Sequence, residues 1–244
     1  MPFIELQSVD STNNYALQLI HEGLAQHGTL VLAHHQTAGK GQRGKTWVAE
    51  AGRNLTMSLI IKPGKLLPGN QFRLSCAVAI GTLRSFRQYA GNEVKIKWPN
   101  DIYWRDRKAG GILIENLIRS GNETTDPWPW SVIGIGINVN QPAFPEGIGN
   151  PVSLMQITGK TYSIPDLARS LAAEILSATS QPDHFPTQLA EYNSHLFKKG
   201  EQVTLKKGSR VFATRIEGVD ETGCLVTRNG IEEEFTFGEV EWIL

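Results

Sequence analysis

Three clusters in this 244-residue chain bring together residue types that bind anions or hold amides beside a ligand. The first is GKGQRGKTW, residues 39–47, in which Gly39, Gly41 and Gly44 are interleaved with Lys40, Arg43 and Lys45. Glycines let backbone amides approach a ligand closely, and clustered cations attract phosphate or carboxylate. Gly39, Gly44, Lys45 and Thr46 fit every fixed position of the phosphate-binding pattern G-x-x-x-x-G-K-[ST]. That pattern requires a helix directly after it, whose first amides hold the phosphates. The entry, TLVLAHH (Thr29–His35), reads as a strand, but the exit is WVAEAGRN followed by LTMSLIIKP, with strand periodicity. The segment is therefore a loop between strands, not a phosphate cradle on a helix. Its glycines and mutually repelling cations favour a flexible lid that orders on an anion. A plain solvated turn, with Trp47 as a core anchor, is the alternative on composition alone.

The second cluster is KIKWPNDIYWRDRKAGGILIE. Lys97, Asn100, Asp101, Arg107 and Lys108 surround a strand end and a tight turn. Asp101 can pair a cation or orient a metal, and Lys108 can donate to an anion in a cleft; an exposed charged hairpin would look the same. The third is GIGINVNQ, where Gly134 and Gly136 interrupt a buried strand, as when a ligand or another backbone lies close. Asn138 and Asn140 then place amides near the strand end. His34 and His35 are adjacent and on opposite faces of a strand, so no histidine pair has zinc-ligand spacing. No Ser-His-Asp arrangement is readable.

The elements that must carry these clusters are legible in outline. DSTNNYALQLIHEG reads as a helix capped at Asp10, Ser11 or Thr12, and QFRLSCAVAIGTLRSFRQYA as a longer one with Phe72, Cys76, Ala79, Leu83 and Phe86 on one stripe. EVKIKW, GILIENLI and SVIGIGINVN read as strands. SIPDLARSLAAEIL begins a third helix, with Pro165 in its first turn and Asp166 near the positive dipole end. From Glu201 to Leu244 short strands and turns at DETG and RNG indicate a small β unit that would not stand alone. Zero formal net charge and 40% hydrophobic residues argue against a protein that coats nucleic acid. No run of 18 apolar residues suggests a membrane span, and MPFIELQSVD lacks the features of a signal peptide, so a cytoplasmic protein is expected. Cys76 and Cys224 are expected as buried free thiols. Asn54-Leu-Thr56 and Asn122-Glu-Thr124 fit the glycosylation sequon, which has no meaning without secretion.

Taken together, DSTNNYA, QTAGKGQRGKTW, NLTMSLIIKP, KWPNDIYWRDRKAGGILIE and GIGINVN resemble the biotin protein ligases, in that family's order and over nearly the whole chain. KWPND with KAGGILIE and GIGIN is the specific part. The resemblance implies an α+β fold: a catalytic domain like the class II aminoacyl-tRNA synthetase core (residues 1–196) and a C-terminal SH3-like barrel (residues 197–244). It implies that biotin's carboxylate attacks the α-phosphate of ATP, with Mg2+ present, giving biotinyl-5′-AMP and pyrophosphate. A lysine of the biotin carboxyl carrier protein domain of a carboxylase then attacks the mixed anhydride. By match to the motifs, Ser11, Thr12 and Asn13 line the ureido end, with Gln36 nearby. Lys40, Gly41 and Gln42 wrap the activated carboxyl and phosphate, in a loop completed by Gly39, Lys45 and Trp47. Lys108 bonds the carboxyl or phosphate oxygens, Asn138 faces the adenylate beside Gly136, and Asn100 and Gly110 belong to the same site. Asp101 organises the cations and is the candidate for holding magnesium. Catalytic roles fall to Lys108, Arg43, Lys40 and Asp101.

Two departures qualify the match. Family members often carry arginines where this chain has Lys40, Gln42 and Lys45; lysine loses the planar fork and Gln42 the charge. Members that repress transcription carry an N-terminal helix-turn-helix domain, for which this chain has no room, so specific DNA binding is expected to be absent. A homodimer is left open. The rival readings are a lipoate or octanoate ligase of related fold, and a nucleic-acid or nucleotide-binding module without catalysis resting on the basic loop and DPWPW.

Overall fold

The computed structural model describes residues 1–119, 126–147 and 149–243; the Asn122-Glu-Thr124 sequon lies outside the described residues. The chain opens with strand β1 (Phe3–Leu6), helix α1 (Thr12–His21), β2 (Thr29–Ala33) and β3 (Leu55–Ile61). Helix α2 (Gln71–Ala90) leads to β4 (Val94–Lys97), β5 (Asp101–Trp104), β6 (Arg107–Leu117) and β7 (Trp130–Ile137). Three helices follow: α3 (Leu154–Thr158), α4 (Ile164–Thr179) and α5 (Phe185–Ser194). The seven strands form one mixed sheet in the order β1-β2-β3-β7-β6-β5-β4, antiparallel except for the β1–β2 pair.

The two faces of the sheet are covered differently, and this decides where a site can form. Leu30, Leu32, Leu59, Ile61, Ile133 and Ile135 share one buried core with Leu74, Val78, Leu171 and Ile175 of α2 and α4. Val31, Ile60 and Val132 point the other way, against Ala16 of α1. Because both faces are covered, every residue of β3 is buried, Thr56 and Ser58 included. Gly81 of α2 sits where a Cβ would lie 2.8 Å from the Ile175 Cα, which permits the close α2–α4 packing. The α4 start follows its sequence signals, with Ser163 accepting from the Asp166 amide and Pro165 in the first turn.

A second, antiparallel sheet follows: β8 (Gln202–Lys207), β9 (Arg210–Val219), β10 (Leu225–Asn229), β11 (Ile231–Phe235) and β12 (Glu241–Ile243), in the order β11-β10-β9-β8-β12. It is the C-terminal β unit the sequence indicates. Leu205, Ile216, Val219 and Leu225 belong to the same buried core as the first sheet. The Asn193 side chain exchanges two bonds with the Val219 backbone, at 2.8 and 2.7 Å. The Trp98 indole donates to the Gly223 carbonyl at 3.0 Å.

Two expectations are adjusted. Cys76 is buried, and burial first, with Glu191 second, pushes its thiol up to about 12; Cys224 is only half-buried. His34 lacks a zinc-like neighbour in sequence, but its Nε2 lies 2.8 Å from Glu5 Oε1 on the adjacent β1. Among the described residues no helix is long and apolar enough to cross a membrane.

Candidate active site

The cavity lies on the α1 face of the first sheet, where β7 has no side chains. Register places Ser58 of β3, Gly134 of β7 and Leu113 of β6 in one cross-strand row, and Thr56, Gly136, Gly111 and Asp101 in the next. At Gly134 a Cβ would lie 2.4 Å from Asn13 Oδ1, and at Gly136 it would lie 2.4 Å from the Trp47 ring. These two glycines hollow the sheet surface so that α1 and the loop can close over it. The resulting cavity is about 60 Å³. It adjoins a wider groove of about 430 Å³ between α2, β6 and the turns of the second sheet; Gln42, Asn100 and Ile112 line both.

Its floor is polar and uncharged. Ser11, Thr12 and Asn13 are 2 to 3% exposed, and Ser58, which meets Thr12 and Asn13 without lining the cavity, is fully buried. Ser11 is the N-cap of α1 but makes no side-chain capping bond, so its hydroxyl is free to face the cavity it lines. Gln36 Oε1 accepts from the Thr12 amide at 2.7 Å and lies 3.0 Å from Thr12 Oγ1. Ser58 Oγ stands 2.8 Å from Thr12 Oγ1 and 2.6 Å from Asn13 Oδ1, and Asn13 Nδ2 donates to Glu115 Oε2 at 2.6 Å. Neither Ser58 nor Glu115 is readable as a site residue from spacing. Ser58 looks like one alternating position of an ordinary strand, and Glu115 merely ends GILIE.

The opposite end carries the charge. Lys108 Nζ lies 2.7 Å from Asp101 Oδ1, both lining the cavity. Lys108 and Gly111 are an odd number of residues apart and would face opposite sides of a regular strand. A register shift between β5 and β6 inserts one extra residue, which restores Lys108 to the cavity side. Asn138 Nδ2 donates to the carbonyls of Lys108 and Val152 at 3.3 and 3.2 Å. The structure thus places Asn138 behind Lys108, as its backbone support, and not on the cavity wall. Gly110 has a similar indirect place: a Cβ there would meet the Gly136 carbonyl at 2.7 Å, so it lets β6 and β7 approach. Lys97, beside this pair, lies 5.3 Å from the Tyr103 ring centre and 5.2 Å from that of Trp242. Burial pushes its ammonium down to about 8, against the pull of Asp101 and with added repulsion from Lys108 and Lys45. A chain of zero net charge therefore concentrates cations at one spot.

Residues 39–47 fold as a narrow hairpin over this end. Gly41 N donates to Lys45 O at 2.6 Å and Trp47 N to Gly39 O at 2.9 Å. A Cβ on Gly39 would meet Trp47 O at 2.5 Å and Gln36 Nε2 at 3.1 Å, so glycine lets the hairpin seat on Gln36. Lys40, Gly41, Gln42 and Trp47 line the cavity, whereas Gly39 and Lys45 line the outer side of the hairpin with Glu115. Lys40 Nζ donates to Asn14 Oδ1. Arg43 has φ 55° and turns away from the cavity, donating to the Gly238 carbonyl of the second sheet at 2.9 Å. The Trp47 indole N–H is buried without a hydrogen-bond partner, an arrangement that suits a ligand acceptor.

In chemical terms the cavity offers neutral hydrogen-bonding groups at one end and, beginning in the neighbouring cross-strand row, two lysines and a glycine-rich loop. A model of the biotin/lipoate A/B protein ligase family matches residues 5–138. The chain is 30% identical over 243 residues to the bifunctional ligase/repressor BirA of Escherichia coli (strain K12), an alignment that spans 96% of this chain and 72% of that protein. It is 31% identical over 232 residues to the biotin–[acetyl-CoA-carboxylase] ligase of Paracoccus denitrificans, spanning 91% of this chain and 92% of that one. Its fold matches that of the biotin protein ligase from Aquifex aeolicus solved in complex with biotin and ATP, with a TM-score of 0.81 and 26% identity over 99% of this chain and 98% of that chain.

Proposed function

The chain belongs to the biotin/lipoate A/B protein ligase family and is a biotin ligase; from that premise we propose that it adenylates biotin in this cavity and passes it to a lysine of a biotin carboxyl carrier domain. The cyclic urea lies on the neutral floor of Ser11, Thr12, Asn13 and Gln36, and the carboxylate reaches the Lys108 end. A carboxylate oxygen then bonds to the α-phosphorus of ATP while the bond to the β-phosphate oxygen breaks and pyrophosphate leaves. Lys108 and Lys40 stabilise the negative charge shared by the reacting oxygens. In the second step the carrier amine bonds to the acyl carbon, AMP leaves, and the amine proton goes to solvent. The groove between α2 and the second sheet gives that amine its approach.

Asp101 is, among the described residues, the only acidic side chain lining the cavity. With Lys108 on one of its oxygens, it suits a magnesium ion held mainly by the phosphates of the nucleotide, as such ions commonly are. That ion would supply further neutralisation of the phosphate charge. Gln42 stands where a cation would otherwise meet the adenylate, so retention of the intermediate falls to Lys40, Lys108 and closure of the hairpin.

The observation that carries this reading is the division of one cavity into a neutral polar floor and a cationic mouth. A lipoate or octanoate ligase is the second reading, and the same floor speaks against it. A dithiolane or alkyl end would offer no partner to the Ser11 hydroxyl, which makes no capping bond, at a cost of about 1–3 kcal/mol per unsatisfied group. Pyrophosphate exchange into ATP, with biotin, lipoate and octanoate side by side, tests it. Exchange is expected with biotin alone; exchange with lipoate or octanoate and none with biotin would overturn it.

A further inference from the structure

Glu115 does not line the cavity and stands on the outer side of the hairpin with Lys40 and Lys45, yet it ends a hydrogen-bonded row that reaches the cavity floor. Four groups stand in sequence: Thr12 Oγ1, Ser58 Oγ at 2.8 Å, Asn13 Oδ1 at 2.6 Å from Ser58, and Glu115 Oε2 at 2.6 Å from Asn13 Nδ2. Each hydroxyl has one proton to give, and an ionised carboxylate can only accept. The carboxylate therefore requires Asn13 to present its NH2 to Glu115 and its carbonyl oxygen to Ser58. Ser58 must then give its proton to Asn13, which leaves its own oxygen able only to accept from Thr12. Thr12 has two acceptors for its proton, Ser58 Oγ and Gln36 Oε1 at 3.0 Å, and no hydroxyl donating to it. Its lone pairs are left for the cavity.

We propose that Glu115 is the positioning residue that sets the donor–acceptor direction of the cavity floor, making Thr12 an acceptor matched to a ligand N–H. The proposal rests on the biotin reading above and extends it to the recognition of the cyclic urea, whose ring nitrogens carry such N–H groups. Without Glu115 the Asn13 amide is free to turn over. Ser58 then accepts from Asn13 and donates to Thr12, so that a Thr12 lone pair is occupied from within the protein and the ligand N–H loses its acceptor. Asn13 is 3% exposed and Ser58 fully buried, so water does not substitute for the lost partner. Glu115 itself is only half-buried on β6, so replacing it does not empty the core.

The test compares Glu115→Gln, Glu115→Ala and Glu115→Lys by calorimetric titration with biotin and by steady-state pyrophosphate exchange. Glutamine can still accept from Asn13 through its Oε1 but, unlike the carboxylate, can also donate, so its affinity should fall between wild type and alanine. Alanine should weaken biotin binding by about tenfold, the effect of one lost hydrogen bond in a buried site. Lysine, a donor forced against Asn13, should weaken it further by favouring the turned-over amide. The Michaelis constant for ATP should stay within about twofold in the glutamine and alanine variants, since direction at the floor bears on the ring end only. The lysine variant, which adds a cation beside Lys40 and Lys45, is read for biotin alone. Alanine within about twofold of wild type, glutamine as poor as alanine, or equal losses for biotin and ATP accompanied by a lowered melting temperature would each overturn the proposal. If the alanine variant does not fold, the glutamine–lysine order carries the test. Absence of biotin-dependent exchange in the wild-type protein would instead refute the biotin reading itself.

Discussion

At the α1 end of the cavity, Thr12, Asn13 and Ser58 are buried and bonded to one another, while at the loop end Lys40 and Arg43 are exposed and each rests on a single oxygen, of Asn14 and Gly238 respectively. The first end is finished when the chain folds: its groups are held in place by strands and a helix, so little ordering cost remains for a ligand. The second end is a hairpin with exposed cations whose present partners are neutral acceptors. A phosphate in the cavity would displace Asn14 from Lys40, since charged acceptors make the stronger bonds. On the proposed reading, selectivity for the ring and stabilisation of reaction charge are separable, because they fall on a buried helix-and-strand end and an exposed hairpin respectively. Substitutions at the two ends should accordingly move different constants.

The largest effect is expected at Lys108. Lys108→Ala should lower adenylate formation by roughly 10²–10³-fold, the loss typical of a donor aimed at developing charge. It should cost about 1 kcal/mol or less of stability, since the Lys108–Asp101 pair is partly exposed. Single-turnover formation of biotinyl-AMP and thermal melting check the two halves, and near-wild-type turnover in a folded variant would remove Lys108 from its assigned place. Next is the floor. Gly134→Ala puts a methyl group 2.4 Å from Asn13 Oδ1, so Asn13 must shift, with a strain of about 1–3 kcal/mol. Biotin affinity measured by calorimetry should fall while ATP affinity does not.

A smaller effect concerns Lys97, whose folded-state value of about 8 lies below its ordinary 10.5. Between those values the unfolded chain binds more protons than the native one, so this residue's contribution to stability rises with pH from about 8 upward. Cys76 and the buried tyrosines Tyr103 and Tyr192 are shifted upward and act in the opposite direction once the pH passes their ordinary values. The difference between wild type and Lys97→Met isolates the lysine. Denaturant titrations at about pH 8 and 9 should show it changing by roughly 1 kcal/mol, and a pH-independent difference would mean that Lys97 is not desolvated. The smallest effect is expected from Arg43→Ala, which frees the hairpin from Gly238 and should speed adenylate release only a few-fold. Trypsin cleavage at Lys40 and Lys45 reports the hairpin's closure. It should slow in wild type when biotin plus ATP are added, and equal rates in both conditions would exclude a lid.

What the sequence disclosed follows the same division. Helix α2 is visible residue for residue because its apolar stripe repeats over 20 residues, and the glycine-rich loop, KWPND and GIGIN stand out by composition. Helix α5, short and with Gln188 among its buried positions, leaves no such trace. The polar floor is hidden for a different reason. Strand β3 is covered on both faces, so the burial of Ser58 breaks no pattern, and Glu115 meets Asn13 across a sequence separation of 102 residues. Asn138 and Gly110 are conspicuous in sequence but act one layer back, holding the backbone of Lys108 and closing β6 on β7. Spacing reveals which residues are unusual; only register across β3, β7 and β6 reveals which of them face the cavity.

The central claim, one cavity with a ring end and a reacting end, is tested most directly by a crystal structure of the protein with biotin bound. The account predicts the cyclic urea within hydrogen-bonding distance of Ser11 and Thr12, with the carboxylate directed to Lys108 beneath the 39–47 hairpin. Biotin bound with its ring under the hairpin and its carboxylate on the Thr12 floor, or seated in the groove beside α2, would contradict it.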